Sequence, residues 1–311
     1  MLTKEQIEAR KKGIGGSDVA AILGLNDYSD AIDVYQQKVG TAKPIEENEK
    51  MKWGTVLEAP IAREYEKQYG LRAVNLRQMI HHPSEKIFLA NIDRIYETQD
   101  GDRGILEIKT TSSHYMSGWK YDMPLYWYCQ VQWYLYIAKA CKLINLDVAH
   151  VAVLASGQSM SIIPCEYDPK FIEESIPKLK AFWNDCVLKG QPPEAETGKQ
   201  VEKIYTAMAL KEIEATEEVE KIVIELAGVQ AQIKGLYTIA DRLKDQIQVI
   251  MKDAEILTYN GNLLATWKAQ SQKRLDQKLL ESDYPDLVDQ YKTESVIRKF
   301  LCKVKANADE D

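Results

Sequence analysis

The pattern of apolar and polar positions divides the chain into two parts of different character. Residues 1 to about 190 mix helical and strand periodicities, whereas the chain after the stretch QPPEAETGK at 191–199 follows an overwhelmingly helical pattern. We therefore predict one domain over residues 1–195 and a mainly helical C-terminal region over residues 200–311.

The first part carries the signals of an α/β fold. Helical patterns cover residues 20–23, 31–38, 56–69 and 124–138, and strand patterns cover residues 87–96, 104–110, 146–155 and 160–168. Ser156 and Gly157 form a turn signal between the last two strands. Because helices stand before, between and after these strands, we predict a mixed central sheet flanked by helices.

The C-terminal region contains a heptad pattern of apolar residues. Its two interleaved series are Ile222, Val229, Leu236, Leu243 and Ile250, and Leu226, Ile233, Ala240 and Ile247. Such a pattern predicts one long coiled-coil-like helix, whose apolar seam packs either on its own domain or on another molecule.

Two further elements are predicted after this long helix. Asn260 and Gly261 indicate the tight turn of a β-hairpin, because this dipeptide adopts the positive φ angles of a primed turn. A final helix is predicted around Val296, Ile297, Phe300 and Leu301.

Composition limits the class of protein. The chain has 311 residues, of which 45% are hydrophobic and 28% charged, and it contains no apolar run of the length that a membrane span needs. The charged N-terminus lacks the pattern of a secretory signal, so we expect a cytoplasmic protein with no membrane contact. The net charge of −7 counts against general DNA binding but leaves room for a local basic channel.

Cysteine and histidine spacing restricts the type of metal site. The five cysteines show neither paired spacing nor an associated histidine cluster, which disfavours zinc, disulfides and iron–sulfur clusters; they stand at 129, 141, 165, 186 and 302. Any metal ion is therefore expected to have oxygen ligands.

The strongest chemical pattern is LANID at 89–93 followed by GILEIKTT at 104–111. Strand alternation places Glu107 and Lys109 on one side of the sheet and Ile108 on the other, and Asp93 can face Glu107 across a hairpin. Two neighbouring carboxylates suit Mg²⁺ or Mn²⁺, and a lysine beside them can orient water or offset phosphate charge. Taken alone, this pattern also fits an ordinary ion pair on a sheet.

Two polar residues in apolar helical surroundings extend this pattern. Glu58 lies in KWGTVLEAPIAREYE at 52–66. Its carboxylate is either a metal ligand or a first-turn residue whose negative charge is stabilised by the helix dipole. Gln130 lies in PLYWYCQVQWYLYIA at 124–138, an amphipathic helix whose aromatic residues are expected in the core rather than as a platform for bases.

The N-terminal sequence GIGGSDVAAILG at 13–24 is a glycine-rich turn that leads into a helix capped by Ser17 or Asp18. A helix N-terminus with a serine hydroxyl suits a phosphate, for which Arg10 would supply a cation. An ordinary capped helix preceded by a solvated basic run, formed with Lys11 and Lys12, is the alternative.

In this order, the motifs resemble those of the YqaJ-type phage recombinases, the family that includes lambda exonuclease, within the PD-(D/E)XK nuclease superfamily. The resemblance covers roughly residues 5–190. It rests on the following residues taken together: Arg10 and Ser17; Trp53, Gly54 and Glu58; Asp93; Glu107 and Lys109; and Gln130 and Gln132.

The resemblance implies a role for each of these site residues. Asp93, Glu107 and the backbone carbonyl of Ile108 would hold one Mg²⁺, for which Mn²⁺ could substitute, and Glu58 would help to hold a second ion. Lys109 and Gln130 would position water, and Arg10 and Ser17 would bind the 5′-phosphate of the DNA. The chain departs from the family at Arg94, where glycine is common, which affects the expected hairpin geometry.

The resemblance also implies an activity and partners. The expected enzyme, of phage or prophage origin in a bacterial host cell, digests one strand of linear double-stranded DNA from the 5′ end. It would act as a ring-shaped trimer that works with a single-strand annealing protein. A structure-specific endonuclease on the same core is one alternative. A non-catalytic module that binds DNA ends or a partner through its heptad helix is another.

Overall fold

The computed structural model describes residues 4–42, 48–76, 78–119, 123–205, 211–293 and 298–304. The chain forms two compact units, Met1–Tyr205 and Thr206–Asp311.

The first unit alternates helices and strands along the chain. Its helices are α1 (Lys4–Lys11), α2 (Gly16–Ile22), α3 (Ala31–Val39), α4 (Glu49–Tyr69), α5 (Ser113–Ser117), α6 (Leu125–Ala140), α7 (Pro169–Ala181), which runs into a π-helical turn at Phe182–Val187, and α8 (Gly198–Ile204). Its strands are β1 (Arg72–Val74), β2 (Ile80–His81), β3 (Leu89–Ala90), β4 (Arg94–Glu97), β5 (Arg103–Thr111), β6 (Val148–Ala155) and β7 (Ser159–Glu166).

The central sheet is mixed, as the sequence predicts. Its strand order is β1-β4-β5-β6-β7, in which β5 and β6 are parallel and the other neighbouring pairs are antiparallel. A parallel pair needs a crossover connection, and α6 lies in the segment between β5 and β6. The arrangement is the predicted α/β architecture, a mixed central sheet with helices before, between and after its strands.

The single strand predicted over residues 87–96 is wrong in detail. Leu89 and Ala90 pair with β2 in a separate two-stranded sheet, and the chain joins the central sheet only at Arg94. Asp93 lies at this break, where its Oδ2 accepts a hydrogen bond from the Ile108 amide at 2.9 Å. The break therefore places a carboxylate directly beside β5.

Two apolar clusters cover the two faces of the sheet. On the face of α2 and α6, Ile105 and Val151 pack with Trp133, which is fully buried. On the face of α4, Leu106 and Ile108 pack with Tyr65 and its neighbours. The aromatic residues of α6 thus lie largely in the core, because α2 packs against that helix.

Several predicted boundaries are corrected. Helix α2 begins at Gly16 with Gly15 as its N-cap, so neither Ser17 nor Asp18 is the cap; Asp18 instead accepts the Gly15 amide from the third helical position. Helix α4 begins at Glu49, seven positions before the predicted start at 56, because Asn48 caps it.

The division between the two units falls after Tyr205, later than the boundary at 195–200 that the sequence suggests. Helix α8 belongs to the first unit because it contacts α3. Lys203 Nζ forms ion pairs with Asp30 at 3.0 Å and with Asp33 at 2.7 Å, and Gln200 donates to Asp30 at 3.2 Å.

The second unit contains helices α9 (Glu217–Met251), α10 (Gln277–Asp283) and α11 (Pro285–Tyr291) and the hairpin β8 (Ile256–Tyr259) and β9 (Asn262–Thr266). Asn260 and Gly261 form the hairpin turn with φ angles of 48° and 78°. The final helix is not formed at Phe300 and Leu301, and Val296 and Ile297 lie outside the described residues.

The heptad seam of α9 is solvent-exposed within its own unit. Ile222, Leu236 and Ile250 retain 63%, 65% and 71% of their surface. In the described part of the chain, no helix is both long and apolar enough to cross a membrane.

Gly16 is a position where packing requires glycine. A Cβ built there would lie 2.5 Å from Cε1 of Tyr134, and that ring is itself buried in the core. We expect Gly16→Ala to lower the free energy of unfolding by about 2 kcal/mol through overpacking. Denaturant titration would measure the change.

Gly198→Ala is the matched control, because Gly198 is also the first residue of a helix and a Cβ there would have no atom of the described residues within 4 Å. Its free energy of unfolding should change by less than about 0.5 kcal/mol. Equal losses in both variants would contradict the packing explanation.

Candidate active site

One cavity of about 520 Å³ brings together the residues that the sequence singles out. Its lining includes Arg10, Ser17, Glu58, Asp93, Glu107, Ile108, Lys109 and Gln130. These residues come from α1, α2, α4, the entry to β4, β5 and α6, so that the fold, rather than any one segment, assembles the site.

The two carboxylates at the floor of this cavity are held in an unfavourable environment. Glu107 is 1% exposed, and its Oε2 has no hydrogen-bond partner among the described residues. Burial raises the pKa of Asp93 well above its usual value, and the nearby Glu107 carboxylate raises it further. Burial likewise raises the pKa of Glu107, although Lys109 opposes this shift. A pair of buried carboxylates in this state is suited to a cation.

The oxygen atoms present fit a hard divalent cation. The unpartnered Oε2 of Glu107 and the carboxylate of Asp93 are oxygen donors of the kind that Mg²⁺ and Mn²⁺ prefer. Within the described residues, no three histidine, cysteine, aspartate or glutamate side chains form a metal-binding group. Beside these two carboxylates, water or a backbone oxygen would complete a ligand set, and Ile108 lines the same cavity.

Lys109 is fixed beside the acids by a network that runs to α6. Its Nζ lies 2.9 Å from Oε1 of Glu107 and donates to Oε1 of Gln130, also at 2.9 Å. Gln130 Nε2 donates to Glu107 at 2.9 Å and to the Tyr134 hydroxyl at 3.0 Å. Lys109 Nζ also lies 5.8 Å from the centre of the Trp127 ring. The alternation of β5 thus places Glu107 and Lys109 on one side, as the sequence predicts.

Gln132, the second glutamine of the motif, has a different environment. It is fully buried, donates to the Glu166 carbonyl at 2.6 Å and accepts from the Asp168 amide at 2.7 Å. These bonds tie α6 to the end of β7 and the start of α7.

Glu58 faces the cavity but is already engaged. Its Oε1 accepts a hydrogen bond from Nη1 of Arg94 at 2.5 Å, and the same Nη1 donates to the Asp93 carbonyl at 2.6 Å. The sequence shows Arg94 as a departure from the family pattern, but gives no sign of this ion pair, because its partners are 36 residues apart.

Arg10 and Ser17 meet at the rim of the cavity, where Nη2 of Arg10 donates to the Ser17 hydroxyl. Behind them lies a buried ion pair that sequence reasoning missed. Lys38 Nζ lies 2.5 Å from Oδ2 of Asp18 and donates to the Arg10 carbonyl at 2.8 Å. The pair joins α3 to the end of α1 and the start of α2, and so fixes the backbone that carries Arg10 and Ser17.

A mixed sheet flanked by helices carries Asp93, Glu107 and Lys109 in one cavity, which is the arrangement that the resemblance to PD-(D/E)XK nucleases leads one to expect.

Comparison with known proteins then gives the family. Residues 6–141 match the YqaJ-like viral recombinase domain. The chain is 32% identical over 312 residues to the uncharacterized protein YqaJ of Bacillus subtilis (strain 168), which covers 97% of this chain and 95% of that protein. The chain therefore belongs to the YqaJ-like viral recombinase family, which confirms the resemblance drawn from its motifs.

Two solved structures are similar in fold. The alkaline exonuclease LHK-Exo from Laribacter hongkongensis matches with a TM-score of 0.48 and 20% identity, over 60% of this chain and 94% of that one. A phage related exonuclease from Haemophilus somnus 129PT matches with a TM-score of 0.42 and 11% identity, over 57% of this chain and 96% of that one. At these TM-scores, neither likeness assigns a role to any residue of this chain.

Proposed function

We propose that this protein is a Mg²⁺-dependent exonuclease that digests one strand of linear double-stranded DNA from 5′ to 3′ and leaves 3′ overhangs. The observation that carries the proposal is the buried, unpartnered oxygen of Glu107 beside Asp93 and Lys109, in a cavity that also holds Arg10 and Ser17. Family membership supports a role of the overhang in recombination.

Asp93, Glu107 and the Ile108 carbonyl would hold one Mg²⁺, and Mn²⁺ could substitute because it also prefers oxygen ligands. Glu58 is the residue on the same cavity that could serve a second ion. When bound, such a cation makes water a better nucleophile at neutral pH and stabilises charge on the leaving oxygen.

Lys109 and Gln130 supply the positioning chemistry. An ammonium group has three donors, and Lys109 uses its contacts with Glu107 and Gln130 to hold a fixed orientation beside the acids. It can then orient the attacking water and offset negative charge on the phosphate. Gln130 forms hydrogen bonds with both Glu107 and Lys109, so its amide fixes the positions of the two charged groups relative to each other.

Arg10 and Ser17 would bind the 5′-phosphate of the strand end. Arg10→Ala should reduce cleavage of a 5′-phosphorylated end about tenfold or more, because a hydrogen bond between charged groups contributes about 1.5–3 kcal/mol. A 5′-hydroxyl end should lose much less, so the ratio of the two rates would fall. Cleavage of both ends under single-turnover conditions measures this ratio.

Lys12→Ala is the matched control for Arg10, since Lys12 is exposed in the same basic run. It should leave the phosphate preference unchanged. An Arg10→Ala protein that keeps the wild-type ratio would remove Arg10 from the phosphate site.

Polarity is tested with duplex DNA labelled at either end of one strand. Digestion from 5′ to 3′ predicts early release of a 5′ label as mononucleotide, whereas a 3′ label stays on a shortening strand. Early release of the 3′ label would contradict the proposal.

The proposed product also suggests how the protein is used. A 3′ overhang is the substrate of a single-strand annealing protein, which we propose as the partner. A ring-shaped trimer would keep the enzyme on one duplex during successive cleavages.

A further inference from the structure

Arg94 contacts two residues of the proposed metal centre, Glu58 and Asp93. It directly follows Asp93 and begins β4, where it pairs with Leu106 of β5. Its side chain is only 10% exposed, and its Nη1 contacts both the Glu58 carboxylate, at 2.5 Å, and the Asp93 carbonyl, at 2.6 Å. One guanidinium nitrogen therefore joins α4 to the strand entry that carries Asp93.

The ion pair between Arg94 and Glu58 disfavours binding of a metal ion at Glu58. A guanidinium group keeps its positive charge at all pH values of interest, so a divalent cation on the same carboxylate oxygen would face strong repulsion. Moving Arg94 away would leave a buried charge without its acceptors, which is costly in a protein interior. Glu107 differs in that Lys109 contacts its Oε1, whereas its Oε2 is buried and has no partner among the described residues and so is left for a metal ion.

We propose that Arg94 occupies Glu58 and thereby limits the DNA-free protein to one tightly bound divalent cation, held at Asp93 and Glu107. Arg94 is then a residue that determines the number of metal ions, and its fixed charge takes the position beside Glu58 that a second ion would need. This inference rests on the proposed function, because it requires the metal centre at Asp93 and Glu107.

The proposal differs from a purely structural role for the ion pair. If Arg94 only stabilises the fold, its removal lowers the free energy of unfolding and leaves the number of bound ions unchanged. If Arg94 excludes a cation, its removal frees Glu58 and adds a site. Counting ions therefore separates the two roles without any measurement of activity.

The experiment counts Mn²⁺ bound to the full-length, DNA-free protein by isothermal titration and by the loss of the free Mn²⁺ resonance signal. We expect one tight ion on the wild type and a second on Arg94→Gln, at least tenfold tighter than any second ion on the wild type. The double variant Arg94→Gln, Glu58→Gln should return to one ion. Two tight ions on the wild type, or one on both proteins, would overturn the proposal.

Glu58→Gln alone provides a second test, should Arg94→Gln fail to fold. Because Glu58 is engaged by Arg94, this variant should still bind one ion with wild-type affinity; loss of that ion would overturn the proposal.

Asp93→Asn separates this inference from the function on which it rests, since it should bind no tight ion. If the wild type binds none, or if Asp93→Asn binds as the wild type does, the metal centre itself is wrong and the inference falls with it.

Discussion

Asp93→Asn is expected to abolish Mg²⁺-dependent cleavage while raising the stability of the metal-free protein by about 1 kcal/mol at pH 8, as is common for residues held in strained functional sites. Burial and the neighbouring Glu107 raise the pKa of Asp93. A carboxyl group whose pKa is higher in the folded than in the unfolded protein stabilises the fold at pH values below its unfolded-state pKa. This stabilisation is lost as the pH rises through the folded-state pKa of the group. Asparagine removes the charge and can still accept from the Ile108 amide.

Denaturant titration in the presence of a chelator measures this difference. The advantage of Asp93→Asn should shrink as pH falls towards about 4, where the unfolded carboxyl group also becomes protonated. Added Mg²⁺ should then stabilise the wild type by mass action and leave the variant unchanged.

Asp147→Asn is the control for Asp93, because Asp147 is an exposed carboxylate paired with Lys139. It should retain cleavage and change stability by less than about 0.5 kcal/mol. Equal stabilisation of wild type and Asp93→Asn by Mg²⁺ would contradict the assignment of Asp93 as a ligand.

Lys109→Ala should reduce the cleavage rate by a factor of about 10²–10⁴, the range for loss of a positioned proton-transfer or charge-stabilising group. It should also lower the free energy of unfolding, because the side chain is only 17% exposed and its removal leaves the buried Glu107 carboxylate without its ion-pair partner. Loss of the ammonium group also removes an influence that lowers the pKa of Glu107. Single-turnover cleavage and thermal unfolding measure the two effects.

Lys139→Ala is the matched control, since Lys139 also forms an ion pair with a carboxylate, but with Asp147. Wild-type cleavage is expected for it. If Lys109→Ala cleaves as fast as Lys139→Ala, Lys109 has no part in the reaction.

Local patterns predicted much of the site. The two-residue period of a strand is enough to place Glu107 and Lys109 on one side of β5 and Ile108 on the other. The parallel pairing of β5 with β6 also agrees with the expected mixed sheet, since the helical stretch at 124–138 supplies the crossover.

Contacts between distant segments could not be predicted in the same way. The pairs Arg94–Glu58 and Lys38–Asp18 join residues 36 and 20 positions apart, and no local period relates them. The sequence does not predict the break at Asp93, because residues 87–96 are mostly apolar and have a strand-like composition on both sides of it. The change from one sheet to another is a property of the tertiary structure.

The heptad helix shows a further limit of pattern reasoning. The repeat gives the position of a single helix, Glu217–Met251, but a seam of apolar residues does not identify what covers it. Within its own unit the seam stays exposed at Leu236 and Ile250, so both packing on the rest of the chain and pairing with another molecule stay predictions.

The proposed activity is tested by digestion of 5′-phosphorylated linear duplex DNA with and without Mg²⁺, beside a 5′-hydroxyl duplex, a closed circular duplex and the Lys109→Ala protein. We expect Mg²⁺-dependent loss of one strand of the phosphorylated duplex by the wild type, slower loss of the hydroxyl duplex and an intact circle, and digestion by Lys109→Ala that is slower by a factor of about 10²–10⁴. Cutting of the circle would favour an endonuclease. No cleavage of any substrate, or equal cleavage by Lys109→Ala, would contradict the proposed active site.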